Sequence, residues 1–555
     1  MATTMRSSDA LFSPLEIAGG KITLEHRVVF APLTRNRCLP LEKDDPEAAH
    51  YNRIWVPDAL VAEYYSQRTT EGGLLISEGI APSLESNGMS GVPGLFHPSH
   101  LAGWKLITSA VHAKGGYIYA QLWHAGRTTT SPFTGKPSVA PSVVPMEGDS
   151  GRAPPGHSGP VNYADFPPLE LTHALIRSTI EDYCSAAKMA MEAGFDGVEV
   201  HSGNGYLPEQ FLSSNINTRT DEYGGSPKER CRFVIELMQG VADAVGQENC
   251  AIRLSPFGLY NQVRGEQRIE TWSFLCEQLK KVIPRMSYIS LIEPRYEQIH
   301  SYSEKDQYLS SQGLDPATIN LKFLRKIMGD TPFFSAGGWN DTNCRGVIGS
   351  GQYDALLFGR YFTSNPDLVE RLKLGKSLTK YERDRFYGPF PDRERGYTDY
   401  SCWHEQQEKE NSNGSVTNDQ SIRVAEIENM FHAGKLFTTV SALKAKRVPE
   451  LVSEGVGDQI IDYTTQSPLR VLPPQSVNFL FDTTGEAMNL LSLVVASTSL
   501  IMSVATQPSG AQLQDLGIMD RLGKPKLPWC ILIGLNLVGS GRKFYAGRSA
   551  VEYAF

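Results

Sequence analysis

The sequence lacks paired cysteines, a basic stripe and a long uninterrupted apolar run. None of its eight cysteines, spread over 555 residues, belongs to a Cys-x-x-Cys motif. This disfavours a zinc site or a disulfide framework, so we expect no metal and a reducing, cytoplasmic compartment. A formal charge of -8 removes the electrostatic basis for binding nucleic acid. The most apolar window, residues 490–504, is interrupted by serine and threonine and is too short to span a membrane.

Over residues 1–400 the sequence instead repeats one pattern: a short apolar run, a turn with glycine, asparagine or proline, and a longer segment of helical period. The eight candidate strands are residues 28–31, 73–77, 117–122, 197–201, 251–255, 288–291, 332–336 and 355–359. Between the third and fourth, apolar residues from Ile176 to Ala190 recur at helical spacing, and Gly194 can end that helix. The pattern favours a closed (β/α)8 TIM barrel over a doubly wound sheet. Such a barrel carries its active groups at the carboxyl ends of its strands and often a phosphate beside strands seven and eight.

Composition divides the rest of the chain. Residues 401–423 include a polar, Asn- and Ser-rich stretch that predicts a linker, and residues 424–555 resume strand and helix patterning.

Within the barrel, residues 131–168 are rich in proline, glycine and serine, which predicts a long ordered excursion after strand three. Two interpretations of the excursion stay open, a lid over the barrel mouth and a plain surface loop.

Three polar side chains follow the fourth candidate strand within six residues. His201 and Asn204 can each donate a hydrogen bond, and two donors converging on one oxygen suit a carbonyl that gains negative charge as it reacts. Tyr206 offers a hydroxyl as proton donor. The alternative is a pair of side chains, His201 and Asn204, that only stabilises a turn.

Cationic and glycine-rich positions mark other strand ends. Arg253 lies in the fifth candidate strand, where a buried guanidinium needs an anionic partner. Gly337 and Gly338 follow the seventh strand, and Gly359 and Arg360 follow the eighth. Free backbone N–H groups beside a guanidinium predict a phosphate site, although two tight turns with an incidental arginine would look the same.

Several longer motifs resemble the Old Yellow Enzyme family of FMN-dependent ene-reductases, including its 12-oxophytodienoate reductase-like members. The matching stretches are residues 31–35 (APLTR), 120–127 (AQLWHAGR), 217–226 (NTRTDEYGGS) and 358–367 (FGRYFTSNPD). Together with shorter matches they extend the resemblance over residues 11–400. The resemblance implies an FMN-binding TIM barrel.

For the cofactor, the resemblance implies a set of residues around FMN. Thr34 would hydrogen-bond the flavin carbonyl next to N5, Gly72 would supply a backbone contact beside it, and Gln121 would hold the pyrimidine edge. Arg253 would lie near N1, where a cation stabilises the anionic reduced flavin. The cofactor-binding residues implied are Pro32, Thr34, Gly72, Gln121, Arg253, Gly337, Gly338, Gly359 and Arg360.

For the reaction, the resemblance implies NADPH-driven reduction of the C=C bond of an α,β-unsaturated carbonyl compound, with hydride from flavin N5. His201 and Asn204 would bind the carbonyl, and Tyr206 would protonate the neighbouring carbon. Trp123 and Tyr387 would shape the substrate pocket. Two alternatives stay open: an FMN-dependent isomerase or dehydrogenase of a biosynthetic intermediate, and a non-catalytic flavin-binding scaffold whose tail recruits a partner.

Residues 424–555 resemble the nucleotide-binding half of the medium-chain dehydrogenase/reductase superfamily. The matching stretches are residues 433–441 (AGKLFTTVS), 454–463 (EGVGDQIIDY) and 479–485 (FLFDTTG). The first strand of that fold and its Gly-rich turn, which would approach a pyrophosphate, are missing. We therefore expect a truncated, partial Rossmann-like α/β domain kept for packing or for contact with another protein.

Overall fold

The computed structural model describes residues 9–41, 54–154, 156–294 and 302–404, together with the backbone of four short strands between residues 437 and 503. The chain divides into two compact units, Met1–Glu408 and Lys409–Phe555. The predicted boundaries of a barrel at 1–400, a linker at 401–423 and a second domain at 424–555 stay predictions.

Eight parallel strands close into a barrel. In chain order they are β1 (Val28–Phe30), β2 (Leu74–Ile80), β3 (Tyr117–Leu122), β4 (Gly197–Ser202), β5 (Cys250–Leu254), β6 (Ile289–Ile292), β7 (Phe333–Ala336) and β8 (Ala355–Phe358). Each strand pairs with the next, and Leu356 of β8 lies opposite Val28 of β1, which closes the cylinder. Every predicted strand overlaps one of these, so the predicted (β/α)8 barrel is confirmed.

Helices surround the barrel. In the described part of the chain they are α1 (Ala59–Gln67), α2 (Pro98–His112), α3 (Ser131–Thr134), α4 (His173–Glu192), α5 (Leu207–Leu212), α6 (Pro227–Val245), α7 (Arg268–Val282), α8 (Tyr302–Ser311), α9 (Lys322–Met328), α10 (Arg360–Ser364) and α11 (Leu368–Leu374). Short 3-10 turns are Ala10–Phe12, Ala18–Gly20, Gly126–Thr128, Tyr163–Asp165, Gln247–Asn249, Tyr260–Gln262, Ile348–Ser350 and Arg383–Arg385.

Helix α4 illustrates why these segments are helical and why they pack on the sheet. Thr172 Oγ1 accepts a hydrogen bond from the N–H of Leu175 (3.3 Å), which begins the helix. Buried side chains recur at three- and four-residue spacing from Ile176 to Ala190, and the residues between them are more exposed. Gly194, with a positive φ of +91°, follows the helix and ends it, as the sequence predicted.

A small antiparallel hairpin, Leu15–Ile17 with Ile22–Leu24, covers the amino-terminal end of the barrel. Its buried side chains form one cluster with residues of the barrel interior, including Val29 and the stacked rings of Tyr288 and Phe334, whose centroids are 4.5 Å apart. Side chains therefore fill the interior at that end. A functional site is confined to the opposite end, where the strands finish.

Short sheets lie outside the barrel. Leu39–Pro40 pairs with Trp55–Val56, and Val139–Ala140 pairs with Leu169–Glu170. No helix among the described residues is both long and apolar enough to cross a membrane.

In the second unit, two pairs of parallel strands are described. Phe437–Val440 pairs with Gln459–Asp462, and Phe479–Asp482 pairs with Leu500–Ser503. The predicted partial Rossmann-like domain otherwise lies outside the described residues and stays a prediction.

Candidate active site

His201 lies at the carboxyl end of β4, opposite Arg253 of β5. Its Nδ1 accepts a hydrogen bond from the N–H of Gly203 (3.3 Å), so the ring proton of the neutral form belongs on Nε2. Burial, with the charge of Arg253, holds the pKa of His201 well below its usual value. The imidazole is therefore neutral, and its Nε2–H has no acceptor in the described part of the chain.

The turn after β4 presents Asn204. Its φ is +56°, its N–H donates to Ser255 Oγ (2.7 Å), and its carbonyl accepts from Asn261 Nδ2 (2.8 Å). Among the described residues its side-chain amide has no hydrogen-bond partner. The main chain of this residue is thus fixed while its side chain stays available as a second donor.

Tyr206 stands beside this donor pair. Its ring meets His201 edge to face (centroids 5.1 Å apart, 68°) and meets Trp123 in the same way (5.2 Å, 89°). Burial, reinforced by the neighbouring phenols of Tyr260 and Tyr387, raises its pKa well above the usual value. The phenol therefore keeps its proton and can donate it. The structure thus brings His201 and Tyr206 together, with Asn204 on the turn between them.

A buried carboxylate that sequence reasoning missed orients Gln121. Gln121 Nε2 donates to Glu199 Oε1 (2.7 Å), and Ser290 Oγ donates to Glu199 Oε2 (3.0 Å). Burial raises the pKa of Glu199, and the charge of Arg253 lowers it less strongly. Because its Nε2 donates to Glu199, Gln121 can offer its Oε1 as an acceptor to a ligand. Glu199 could have been found from sequence, because it lies two residues before His201 and so shares its face of the strand.

The loops after β7 and β8 carry backbone donors and a guanidinium. Gly337 has φ +143°, and a Cβ there would lie 2.6 Å from Glu293 Cβ, so glycine is required. No N–H group of Gly337, Gly338 or Gly359 donates to a protein acceptor within the described residues. Arg360 follows Gly359 directly, and β7 and β8 are neighbours. These donors fit a phosphate group.

Pro32 and Thr34 lie just beyond β1, on the mouth side. The N–H of Ala31 still donates to the carbonyl of Phe358 in β8 (3.0 Å), which holds this segment at the rim. Both side chains are half-buried, and the Thr34 hydroxyl bonds no other described residue. Thr34 is therefore free to hydrogen-bond a ligand.

Gly72 lies at the wrong end of the barrel. Its N–H donates to the carbonyl of Gly115 (2.8 Å) and its carbonyl accepts from the N–H of Glu25 (3.1 Å), and all three residues precede their strands. The predicted flavin contact at Gly72 is wrong, since side chains fill this end. Gly79, at the mouth end of β2, is the glycine of this strand that meets the pocket, because a Cβ there would lie 3.2 Å from Trp123.

The excursion at residues 131–168 contacts loops at the mouth of the barrel. Glu147 N–H donates to Gln262 Oε1 (2.9 Å) and its carbonyl accepts from Gln262 Nε2 (3.0 Å), which joins the excursion to the loop after β5. Arg152 donates to the carbonyl of Gly388, and its guanidinium lies 5.7 Å from the ring centre of Tyr387. Tyr387 is 44% exposed. These contacts favour the lid over the plain surface loop.

These features fit the class of barrel oxidoreductases that hold a phosphorylated flavin at the carboxyl ends of their strands. The chain belongs to the NADH:flavin oxidoreductase / NADH oxidase family, whose model matches residues 10–379. It is a flavoprotein oxidoreductase of the Old Yellow Enzyme group, as predicted, and FMN is the cofactor expected of this family.

Relatives match the barrel over nearly their whole length. Flavin oxidoreductase hxnT of Emericella nidulans is 44% identical over 397 residues, which cover 71% of this chain and 97% of that protein. 12-oxophytodienoate reductase 7 of Oryza sativa is 36% identical, covering 70% and 94%. Among solved structures, an old yellow enzyme homologue from Zymomonas mobilis superposes with a TM-score of 0.60 at 31% identity, covering 71% and 99%. Morphinone reductase in complex with tetrahydroNAD gives 0.59 at 33% identity, covering 71% and 97%.

Proposed function

We propose that this protein reduces the C=C bond of α,β-unsaturated carbonyl compounds, with FMN as cofactor and NADPH as reductant, in specialised metabolism. The observation that carries the proposal is the neutral imidazole of His201 in ring contact with the protonated phenol of Tyr206 (centroids 5.1 Å apart), with Asn204 on the turn between these two residues. Bound FMN would supply the hydride. The printed names of the relatives, a flavin oxidoreductase and a 12-oxophytodienoate reductase, support this class of reaction.

The side chains at the mouth match the needs of the substrate. Two neutral donors can bind a carbonyl oxygen and stabilise the negative charge it gains as its conjugated double bond is attacked. A protonated imidazole would bind that oxygen too, but His201 has lost its proton because of burial and Arg253. Tyr206, whose pKa is raised, is suited to give its proton to the α carbon.

The residues also fit FMN. The glycine N–H groups after β7 and β8, with Arg360, would bind the phosphate. The Oε1 of Gln121 would accept from a ring N–H, the Thr34 hydroxyl would donate to a ring carbonyl, and Arg253 would lie near N1. Gly79 replaces Gly72 as the glycine that allows close approach to the ring.

Colour is the direct test. The purified protein should be yellow and release FMN on denaturation. Anaerobic NADPH should bleach it, more efficiently than NADH, and 2-cyclohexen-1-one should restore the colour. A colourless protein that takes up no added FMN would refute the proposal. Bleaching without recolouring by any enone would favour the isomerase or dehydrogenase alternative instead.

The role of residues 424–555 stays a proposal as well. The family model matches residues 10–379, and the relatives cover about 70% of this chain. We propose that the tail contacts another protein in the cytoplasm. A chain ending at Tyr400 should keep ene-reductase activity and lose any co-purifying partner, and loss of enone turnover in that shortened chain would contradict this.

A further inference from the structure

Glu209 is a buried carboxyl group that the proposed reaction does not use. It lies on α5, three residues after Tyr206, and its side chain is only 1% exposed. A carboxyl group is costly to bury, so it is retained where its hydrogen bonds matter. Its neighbours show what those bonds do.

The carboxylate holds the turn that carries Asn204. Glu209 Oε2 accepts from the N–H of Gly205 (2.6 Å), and Ser255 Oγ donates to both carboxylate oxygens (2.9 and 3.0 Å). Ser255 Oγ in turn accepts from the N–H of Asn204 (2.7 Å). Two successive N–H groups of the turn are therefore tied to Glu209, one directly and one through Ser255.

This turn needs an external support. Asn204 and Gly205 both have positive φ, +56° and +71°, which disfavours the conformation for a non-glycine residue. A Cβ at Gly205 would lie 2.7 Å from Asn261 Cβ and 2.7 Å from the carbonyl oxygen of Tyr260. The turn is thus pressed against the loop after β5, and its hydrogen bonds to Glu209 and Ser255 hold it there.

We propose that Glu209, acting with Ser255, is a positioning residue that fixes the Asn204 amide and the Tyr206 phenol for the substrate. This rests on the proposed function. Glu209 itself touches neither substrate nor cofactor. It acts by holding the main chain from which both side chains project.

The hydrogen bonds are strongest with the ionised form. A carboxylate accepts from both Gly205 and Ser255 with its full charge, whereas protonation removes that charge and turns one of its oxygens into a donor, which weakens its hold on the turn. The charged group that faces Glu209 is Arg268, which is buried on α7. Burial nevertheless raises the pKa of Glu209 to about 7, more than Arg268, Gly205 and Ser255 lower it. The support should therefore weaken as the pH falls below neutrality.

The test compares Glu209→Gln and Ser255→Ala with wild type, as full-length holoprotein. Both variants should leave anaerobic flavin reduction by NADPH within about twofold. Both should slow reoxidation by 2-cyclohexen-1-one by about 10- to 100-fold, the range for displaced catalytic groups. Both should also weaken binding of 4-hydroxybenzaldehyde, followed by flavin absorbance. Ser255→Ala keeps the carboxylate and removes only the link to Asn204, so it tests the idea if Glu209→Gln fails to fold.

The pH profile separates positioning from general loss of structure. Wild-type reoxidation should fall as the pH drops through about 7, whereas Glu209→Gln should be slow and lack this limb. Glu236→Gln is the matched control. Glu236 lies on α6 and its carboxylate accepts from Tyr223 OH (2.8 Å), and the variant should match wild type. Reoxidation at the wild-type rate in both test variants would overturn the proposal.

Absence of enone turnover in wild type would instead refute the proposed function. Glu209 would then be judged by 4-hydroxybenzaldehyde affinity alone. Unchanged affinity in both variants would overturn its positioning role, and weakened affinity would support it.

Discussion

Replacing Glu78 by glutamine should raise the stability of the barrel, relative to wild type, more at pH 8 than at pH 5. Glu78 lies in β2 with a fully buried side chain. Its Oε2 accepts from the N–H of Arg35 (3.2 Å), and its Oε1 has no partner in the described part of the chain. Burial raises its pKa from 4.5 to about 7, although Arg35 and Arg37 lower it.

The sign follows from proton binding. The folded state holds this proton more tightly than the unfolded state, so the stabilisation is complete below pH 4.5 and is lost as the pH rises to about 7. Between pH 5 and pH 8 the loss is about 2.5 kcal/mol, at about 1.4 kcal/mol per tenfold change in proton affinity. Glutamine carries no charge to bury and escapes this loss. For a unit of 408 residues, the difference corresponds to about 3 °C in melting temperature.

The assay is thermal unfolding of wild type and Glu78→Gln at both pH values, with equal flavin content. The melting temperature of the variant minus that of wild type should be about 3 °C larger at pH 8 than at pH 5. Any packing defect of the amide cancels, because it is present at both pH values. Glu71→Gln, at an exposed side chain, controls for the loss of one formal charge. A difference that is equal at both pH values, or larger at pH 5, would refute the reasoning.

Three further predictions concern the site. Tyr206→Phe should leave flavin reduction nearly unchanged and slow enone turnover by about 10²-fold, and unchanged turnover in stopped-flow traces would remove Tyr206 from the mechanism. His201→Ala should weaken the charge-transfer absorbance of bound phenols, while equal affinity would argue against the donor pair. Gly337→Ala should lower FMN retention, because its Cβ would meet Glu293 at 2.6 Å, whereas Gly349→Ala, with open space around it, should keep FMN.

Much of the fold follows from local pattern. Each barrel strand is a short apolar run, and the buried residues of α4 repeat at helical spacing, so both could be predicted without knowing their partners. The choice between a lid and a plain surface loop could not be predicted, because the position of residues 131–168 depends on the reciprocal bonds between Glu147 and Gln262, which are 115 residues apart in sequence. Contacts of that kind leave no periodic signal.

The site was predictable where a residue follows a strand. His201 lies at the carboxyl end of β4, and Asn204, Gly337 and Arg360 follow the carboxyl ends of their strands, where a parallel barrel places its chemistry. The predicted flavin contact at Gly72 was wrong for the same reason, because Gly72 precedes β2 and therefore lies at the amino-terminal end of the barrel.

Buried carboxylates were missed because an acidic residue between apolar ones looks like an exposed position of a strand or helix. The chain has at least three at the mouth end, Glu78, Glu199 and Glu209, and each is buried. The burial of Glu199 could have been predicted, because side chains alternate between the two faces of a strand and Glu199 lies two residues from His201 on β4, so both face the same way.

Glu199 also changes how the charge of Arg253 is compensated. A buried guanidinium needs an anionic partner, and the resemblance implied the reduced flavin near Arg253. The structure already supplies one within the barrel, bonded to Gln121 and Ser290. At its proposed position near flavin N1, Arg253 would therefore stabilise negative charge only as far as Glu199 leaves the charge of the guanidinium uncompensated. Because burial raises the pKa of Glu199, protonation of this carboxyl would return the full positive charge of Arg253 to the cofactor side and favour the reduced, anionic flavin.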